Sequence, residues 1–439
     1  MTKEEKYSLA EWAVNYAQTN GAQGAKVNIY ESQESKVEVR DKKIDKLQQS
    51  TQSGLSIYLY VDKKYSSHST NRLNNKDELK RFIEDAIEGT KFLSEDEFRT
   101  LPEPHLYFKG EKMDLGTFDK DFLSIDPQKK VKLAFDIEKE VLGKDTRIIS
   151  VTTSYYDNMS SSVKVTSNGF KGDTAHTYYS LSASVSVKGG DARPSSSWSE
   201  SAIVFDKLKK EGIGTKALDR ALKKIGQSKI ESGKMTMIIE NRLAAGSLGP
   251  LISAIRGSSI QQKNSFLIDK LGEKVGSDKL TLIDDPFIIS GRGSRQFDGE
   301  GLALKKRTIF EKGILRTYLI DTYYGKKLNM DPNSGSTTNL VLEKGSRSLE
   351  EMIASLDKGI LITGFNGGNS NASTGDFSYG IDGFLIENGK IIKPVSEMNI
   401  TGTAKQLWMN LEEVGNDVYK NSSWRLPSLK FKDIDFSGI

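Results

Sequence analysis

The feature that most constrains this chain is strict two-residue alternation across long polar stretches. Leu181, Ala183, Val185 and Val187 alternate with serine and lysine, and Leu55, Ile57, Leu59 and Val61 alternate with serine and tyrosine. Side chains on a strand point to opposite faces in turn, so such runs predict sheets with one apolar face and one wet face. Val37 and Val39 belong to the same class. A chain so patterned cannot be a helical bundle, nor a parallel sheet buried on both sides.

Helical spacing interrupts these strands. Leu9, Trp12, Ala13, Tyr16 and Ala17 form one stripe, ended by Gly21 and Gly24. Leu79, Phe82, Ile83, Ala86 and Ile87 form a second, with Asn75 and Glu78 spaced as a capping box. Asp126-Pro127 opens a third helix near 127–142, since proline suits the first helical position. Leu218, Ala221, Leu222 and Ile225 mark another, and Leu248, Leu251, Ile252 and Ile255 another, with Pro250 placed in its first turn. Residues 189–199 and 364–376 are polar, glycine-containing stretches that predict loops. Lys312-Gly313 and Asn388-Gly389 predict hairpins. The fold class is therefore α+β. Residues 1–104 form an N-terminal α/β domain with a mixed or antiparallel sheet, 105–233 a middle α+β segment, and 234–439 a β-rich C-terminal domain.

Charge and composition narrow the function. A formal net charge of +4 over 439 residues, with no long Lys/Arg block, makes direct nucleic-acid binding an unfavoured reading. There are no cysteines, so disulfides, thiolate nucleophiles and thiolate metal ligands are excluded. No apolar run is long enough to span a bilayer, and the first residues carry no apolar signal core; both point to the cytoplasm.

Candidate chemistry is sparse. The three histidines, His68, His105 and His176, lie too far apart for a helix-face metal pair. No Gly-x-Ser-x-Gly turn marks a serine nucleophile. Asp284-Asp285 and Asp298-Gly-Glu300 are possible acid–base pairs or turn residues, and Gly291-Arg-Gly293-Ser-Arg295 lacks the lysine of a phosphate loop.

More specific signals sit near the C-terminus. Residues 374–380 (TGDFSYG), 383–389 (GFLIENG), 394–400 (PVSEMNI) and 411–417 (LEEVGND) resemble the signature region of the TldD/PmbA family, whose older label is modulator of DNA gyrase. Residues 296–301 (QFDGEG) and 313–319 (GILRTYL) resemble two upstream elements. The family has a zinc-protease kind, with a His-Glu-x-x-x-His motif and a distant cysteine, and a PmbA/TldE kind that lacks the motif and pairs with the first. Residues 239–255 resemble the second kind: Ala245 and Pro250 stand where the histidines would be and Gly246 where the glutamate would be.

The resemblance implies a non-catalytic partner subunit of a heterodimeric zinc protease, with no metal or cofactor of its own and the zinc held by the TldD-type subunit. Extended or unfolded peptides would be the substrates. Glu240, Asn241, Arg242, Ser247, Asp376 and Ser378 are the candidates to line the substrate cleft. The alternatives are a stand-alone homodimeric peptide-binding scaffold and a regulator associated with DNA gyrase.

Overall fold

The computed structural model describes residues 1–439. Its N-terminal part runs α1 (Lys3–Thr19), β1 (Gly24–Arg40), β2 (Lys43–Val61), β3 (Lys64–Thr70), α2 (Lys76–Lys91), α3 (Pro127–Lys139), β4 (Ile148–Thr166), β5 (Lys171–Val187), β6 (Ser195–Ala202) and α4 (Ile213–Leu222). Its C-terminal part runs β7 (Gly233–Ile239), α5 (Asn241–Ala254), α6 (Gly257–Gln261), β8 (Leu282–Asp284), β9 (Arg307–Glu311), β10 (Ile314–Leu315), α7 (Thr322–Leu328), β11 (Leu340–Leu342), α8 (Leu349–Ala354), β12 (Lys358–Ser370), β13 (Asp376–Glu387), β14 (Lys390–Thr403), α9 (Ala404–Met409), β15 (Leu411–Val414), β16 (Trp424–Arg425) and β17 (Leu429–Ser437). The α+β class is as the sequence predicts.

The first six strands make one antiparallel sheet in the order β3-β2-β1-β4-β5-β6. Alternation sets its two faces. Ala25, Val27, Ile29, Val37 and Val39 of β1 are buried on one side. α1 and α2 cover that side at one end, and α3 and α4 cover it at the other. The α1 stripe centres on Ala10, Ala13 and Ala17, which let the helix approach the sheet, while Leu9, Trp12 and Tyr16 flank it. Asn75 caps α2 by accepting from the Asp77 and Glu78 amides. The Glu78 carboxylate turns to Arg72 instead of closing the box (3.8 Å). The opposite face of the sheet is polar, as predicted. It is wet only in part, because the C-terminal domain lies across it: Lys164 donates to the Asp298 carbonyl (3.3 Å) and Arg292 sits over Tyr178 (4.1 Å).

In the C-terminal domain β14-β13-β12-β7-β17 form a ring, because β14 pairs with β17 as well as β13; β15 flanks β17. β7 and β12 are parallel and the other ring pairs antiparallel. A second sheet, β10-β9-β8-β11-β16, packs beside it. Leu248, Leu251 and Ile252 of α5 and the fully buried Trp408 of α9 belong to the common core. Both predicted hairpins form with two positive-φ turn residues, Lys312 (46°) and Gly313 (78°), and Asn388 (49°) and Gly389 (73°), the twist that suits tight hairpins.

Three expectations need correction. Residues 195–199 are not loop but the start of β6, paired to β5 from Ser186 onward. Their serine content hides a strand whose backbone ladder, not its side chains, carries the pairing. Residues 364–370 likewise belong to β12, which continues through bulges opposite β13. Pro250 lies well inside α5, which starts at Asn241, so the helix is extended N-terminally by a turn and a half of weakly apolar residues. The ring of Pro250 removes one intrahelical bond to the Gly246 carbonyl. Gly246 is exposed, so water can solvate that carbonyl.

Candidate functional site

The first turn of α5 faces a cleft of about 450 Å³ between the two halves of the molecule. Its walls are β6 with Ser184 of β5, α4, the β7–α5 junction, the middle of β12, Asp382 of β13 and Tyr419. Each wall is there for a local reason. β7 is an apolar strand of the ring, so its end delivers Glu240 to the mouth of the cleft in extended conformation (φ −60°, ψ 142°). Trp198 sits on β6 as the one large ring in a run of serines.

Ion pairs cross the cleft. Arg220 on α4 donates through both terminal nitrogens to Glu240 Oε1 and Oε2, each at 2.8 Å, a forked geometry stronger than a single contact. Arg242 stacks on Trp198 at 3.5 Å and donates to the Ser199 carbonyl (2.9 Å) and to Glu200 Oε1 (3.2 Å). Trp198 Nε1 and Asn421 Nδ2 complete the Glu200 carboxylate (2.9 and 3.3 Å). Lys224, just beyond the end of α4, reaches Asp382 (3.2 Å), which also accepts from Asn366 (3.0 Å). Burial holds the Tyr419 hydroxyl above its ordinary pKa. Every charge lining the cleft is thus matched by a neighbour, and the rest of the lining is neutral: serine hydroxyls on β5 and β6 and the rings of Trp198, Phe365 and Tyr419. The arrangement suits binding. It holds no base positioned against a nucleophile.

The sequence candidates distribute unevenly. Glu240 and Arg242 line the cleft. Asn241 turns the other way: its amide donates to the Asp417 carbonyl (2.6 Å), while Asp417 accepts from the Ser428 amide and hydroxyl. That ties the LEEVGND run to the start of α5. Ser247 does not join them. It is buried, its hydroxyl donates to the Ala244 carbonyl (2.7 Å), and its own carbonyl accepts from Trp408 Nε1 (3.0 Å). Asp376 and Ser378 lie at the far end of β13, about 20 and 13 Å along the strand from Asp382. Asp376 there accepts from Thr374 Oγ1 (2.5 Å). Arg220, Trp198, Lys224, Asp382 and Tyr419 were not singled out from sequence; a lone tryptophan in a serine run was the one available signal.

The outer face of α5 carries Arg242, Ala245, Gly246, Gly249 and Pro250. Methyl, hydrogen and pyrrolidine substituents have no lone pair to offer a cation. The nearest carboxylate in sequence, Glu240, is committed to Arg220. This donor set does not fit a divalent metal, and nowhere do three His, Cys, Asp or Glu side chains converge in a metal-binding group. The histidines are dispersed. His68 on β3 contacts Ser66 Oγ (2.9 Å), His105 lies in a short turn after α2, and burial on β5 lowers the His176 pKa.

The carboxylate pairs are structural. Asp284 is buried and paired with Arg307, and it accepts from the Thr338 amide (2.7 Å). Asp298 accepts from the Glu300 and Leu302 amides, closing a turn (2.8 and 3.0 Å). A Cβ on Gly293 would strike the Thr338 carbonyl, so the 291–295 glycines serve a tight turn. Above that turn lies a second buried polar cluster. Burial raises the Glu300 pKa, lowers that of Lys26, and brings Lys164 down to about 8.

Comparison with known proteins gives consistent matches. Residues 25–89 match the PmbA/TldA metallopeptidase domain 1, 120–225 the central domain, and 232–438 the C-terminal domain. Metalloprotease PmbA of Escherichia coli O157:H7 is 28% identical over 420 residues, covering 94% of this chain and 92% of its own. The PmbA homologue of Buchnera aphidicola subsp. Baizongia pistaciae is 31% identical over 353 residues, covering 79% and 78%. A Bacteroides thetaiotaomicron crystal structure, named as a modulator of DNA gyrase, is 51% identical and superposes with a TM-score of 0.98 over 100% of both chains. TldE from Thermococcus kodakarensis shares the fold, with a TM-score of 0.86 at 21% identity over 98% of this chain and 100% of its own.

Proposed function

Because this chain belongs to the PmbA/TldD metallopeptidase family, we propose that it is the non-catalytic subunit of a two-chain cytoplasmic zinc metallopeptidase. Its partner is a TldD-type chain that carries the His-Glu-x-x-x-His motif and the zinc. One observation carries the reading: the exposed face of α5, set beside a cleft, bears Ala245, Gly246, Gly249 and Pro250 where hydrolytic chemistry would need ligands and a base. A retained fold with an inert helix face serves as a wall. In this role the chain closes one side of a chamber, and the neutral cleft of serines and aromatic rings accommodates extended or unfolded peptides without demanding a particular charge.

The test is metal analysis and peptidase assay on the purified chain, alone and mixed with a TldD-type partner. The chain alone should hold well under one zinc per molecule and cleave nothing. The mixture should cleave unfolded peptides in a chelator-sensitive way. One zinc per chain retained through dialysis, or chelator-sensitive turnover by the lone chain, would overturn the reading.

A further inference from the structure

Between α2 and α3 the chain runs as a strap, residues 104–118, fastened to both halves of the molecule. The Phe108 amide donates to the Gly301 carbonyl (3.0 Å) and the Met113 amide to Gln296 Oε1 (2.7 Å). The Ser290 amide donates to the Leu115 carbonyl (2.7 Å), and Thr117 Oγ1 to the Ala175 carbonyl (3.0 Å). The strap, the start of β5 and residues 294–297 bound a cavity of about 550 Å³, a size that suits a small molecule. It shares no lining residue with the cleft beside α5.

Most polar side chains of this lining are committed. Asp173 accepts from Tyr7 (3.1 Å) and pairs with Lys3 (3.1 Å) and Lys112. Lys171 pairs with Glu11 (2.7 Å), and Asp114 accepts from the Gly116 amide (2.8 Å). Thr174 bonds Ser162 (3.0 Å), Ser294 donates to the Ile288 carbonyl (2.5 Å), and the Gln296 side chain holds the strap. Two groups are left over. His176 makes no hydrogen bond to the protein, and neither of its ring nitrogens is sealed, so they open onto the cavity. Arg295 is half-buried and donates only to neutral groups, the Gly293 and Thr337 carbonyls (3.2 and 2.9 Å) and Ser336 Oγ (3.0 Å). Arg220, Arg242 and Arg307, by contrast, each grip a carboxylate.

The charge of Arg295 reaches the imidazole and, after burial, is the second cause that holds His176 below its ordinary pKa. A guanidinium with no carboxylate, beside an imidazole with no partner, is a pair of donors that an anion satisfies. One permanent positive charge suits a monoanion, and Asp114 and Asp173 in the wall disfavour a phosphate dianion. The remaining lining is apolar. Phe108, Leu115 and Phe297 lie inside, while Met113 and Phe118 stay 50% and 42% exposed at the mouth.

We propose that this cavity binds a small monocarboxylate with an aromatic or branched apolar body, its carboxylate held between His176 and Arg295 and its body against Phe108, Phe118 and Phe297. The proposal concerns the chain by itself and does not rest on the role argued above.

The test uses the intact chain labelled at its three histidines, of which His176 alone lines the cavity. Phenylacetate should move the His176 ring resonances in the nuclear magnetic resonance spectrum and leave those of His68 and His105 in place. It should also raise the His176 pKa by about one unit, because an opposite charge then sits beside the ring. The Kd should be on the order of 1 mM, ordinary for a ligand of that size, and neutral phenylacetamide should bind at least about tenfold more weakly. Met113→Glu, at an exposed position where folding is unaffected, should weaken phenylacetate about tenfold by placing like charge at the mouth. Arg295→Met should abolish binding with an unchanged circular dichroism spectrum. N-acetylphenylalanine separates two sources of the same chemistry: its binding extends the site to the C-terminal residue of a peptide, and its exclusion restricts the site to free acids. Equal binding of phenylacetate and phenylacetamide, or full binding by both variants, would overturn the proposal. So would His176 resonances that neither phenylacetate, cinnamate nor N-acetylphenylalanine moves at about 20 mM.

Discussion

Replacing Lys164 with methionine should stabilise the protein at neutral pH and lose that advantage as the pH rises. Lys164 projects from the polar face of β4 under the 296–301 loop, and its pKa is brought from 10.5 to about 8, chiefly by burial and then by the neighbouring charge of Lys26. Asp298 and Glu300 pull it the other way, and Arg295 adds to the lowering. At about 1.4 kcal/mol per pH unit, keeping this ammonium charged in the folded protein costs about 3 kcal/mol. Methionine removes that cost and also the hydrogen bond to the Asp298 carbonyl (3.3 Å), which contributes about 1 kcal/mol. The net expectation at pH 7 is a gain of about 2 kcal/mol.

The pH dependence has a definite sign. Below pH 8 the lysine is protonated both folded and unfolded, and the cost is present in full. Between about 8 and 10.5 the unfolded chain binds more protons than the folded one, so the parent gains stability with rising pH and the variant does not. Urea denaturation of both proteins from pH 7 to 9.5 measures this, and other titrating groups cancel in the difference. A variant less stable than its parent at pH 7, or a difference that stays the same across the range, would refute the account of Lys164 as a buried, penalised charge.

Three further outcomes follow from the packing. Asp284→Ala should cost about 3–5 kcal/mol in chemical denaturation, because it strands Arg307 beside an apolar core and removes the acceptor of the Thr338 amide. Gly293→Ala should destabilise by about 2 kcal/mol, since the new methyl group meets the Thr338 backbone. Gly249→Ala meets nothing within 4 Å on the open face of α5 and should stabilise by about 0.5–1 kcal/mol, read from the same denaturation curves.

Periodicity made much of the fold legible. Apolar alternation placed the long strands, the Asp126 cap accepts from the Gln128 amide (2.9 Å) as its sequence suggests, and the Asn-Gly turn closes its hairpin. Periodicity failed where strands are polar on both faces. Residues 195–199 pair through the backbone alone, and residues 364–370 are extended by bulges that break the two-residue count. The α5 start was misplaced because Asn241 and Arg242 carry no apolar stripe; they are held by tertiary partners, Asp417 and Glu200. The site was legible only in its centre. Glu240 and Arg242 flank a recognisable stretch, but their partners on α4 and β6 are distant in sequence and have no local signature.

Those partners change what the cleft residues do. Glu240 and Arg242 belong to the C-terminal domain, and Arg220, Ser199 and Glu200 to the region that matches the central domain. Lys224 and Asp382 repeat the sense of the Arg220–Glu240 pair, with the cation on the N-terminal half, while Arg242 and Glu200 reverse it. All of these contacts cross from one half of the molecule to the other, so the charged groups nearest α5 brace the cleft before they touch anything within it. Breaking one leaves a half-buried charge without its counter-ion, a larger loss than a surface pair would bring. In the proposed role, a peptide entering the cleft would meet groups that can satisfy backbone amides and cover aromatic or apolar side chains, while the fixed charges are already paired with each other. Selection by side-chain charge at this wall would be correspondingly weak. That property suits a subunit whose proposed task is to admit extended chains of varied sequence and leave the choice of bond to the chain across from it.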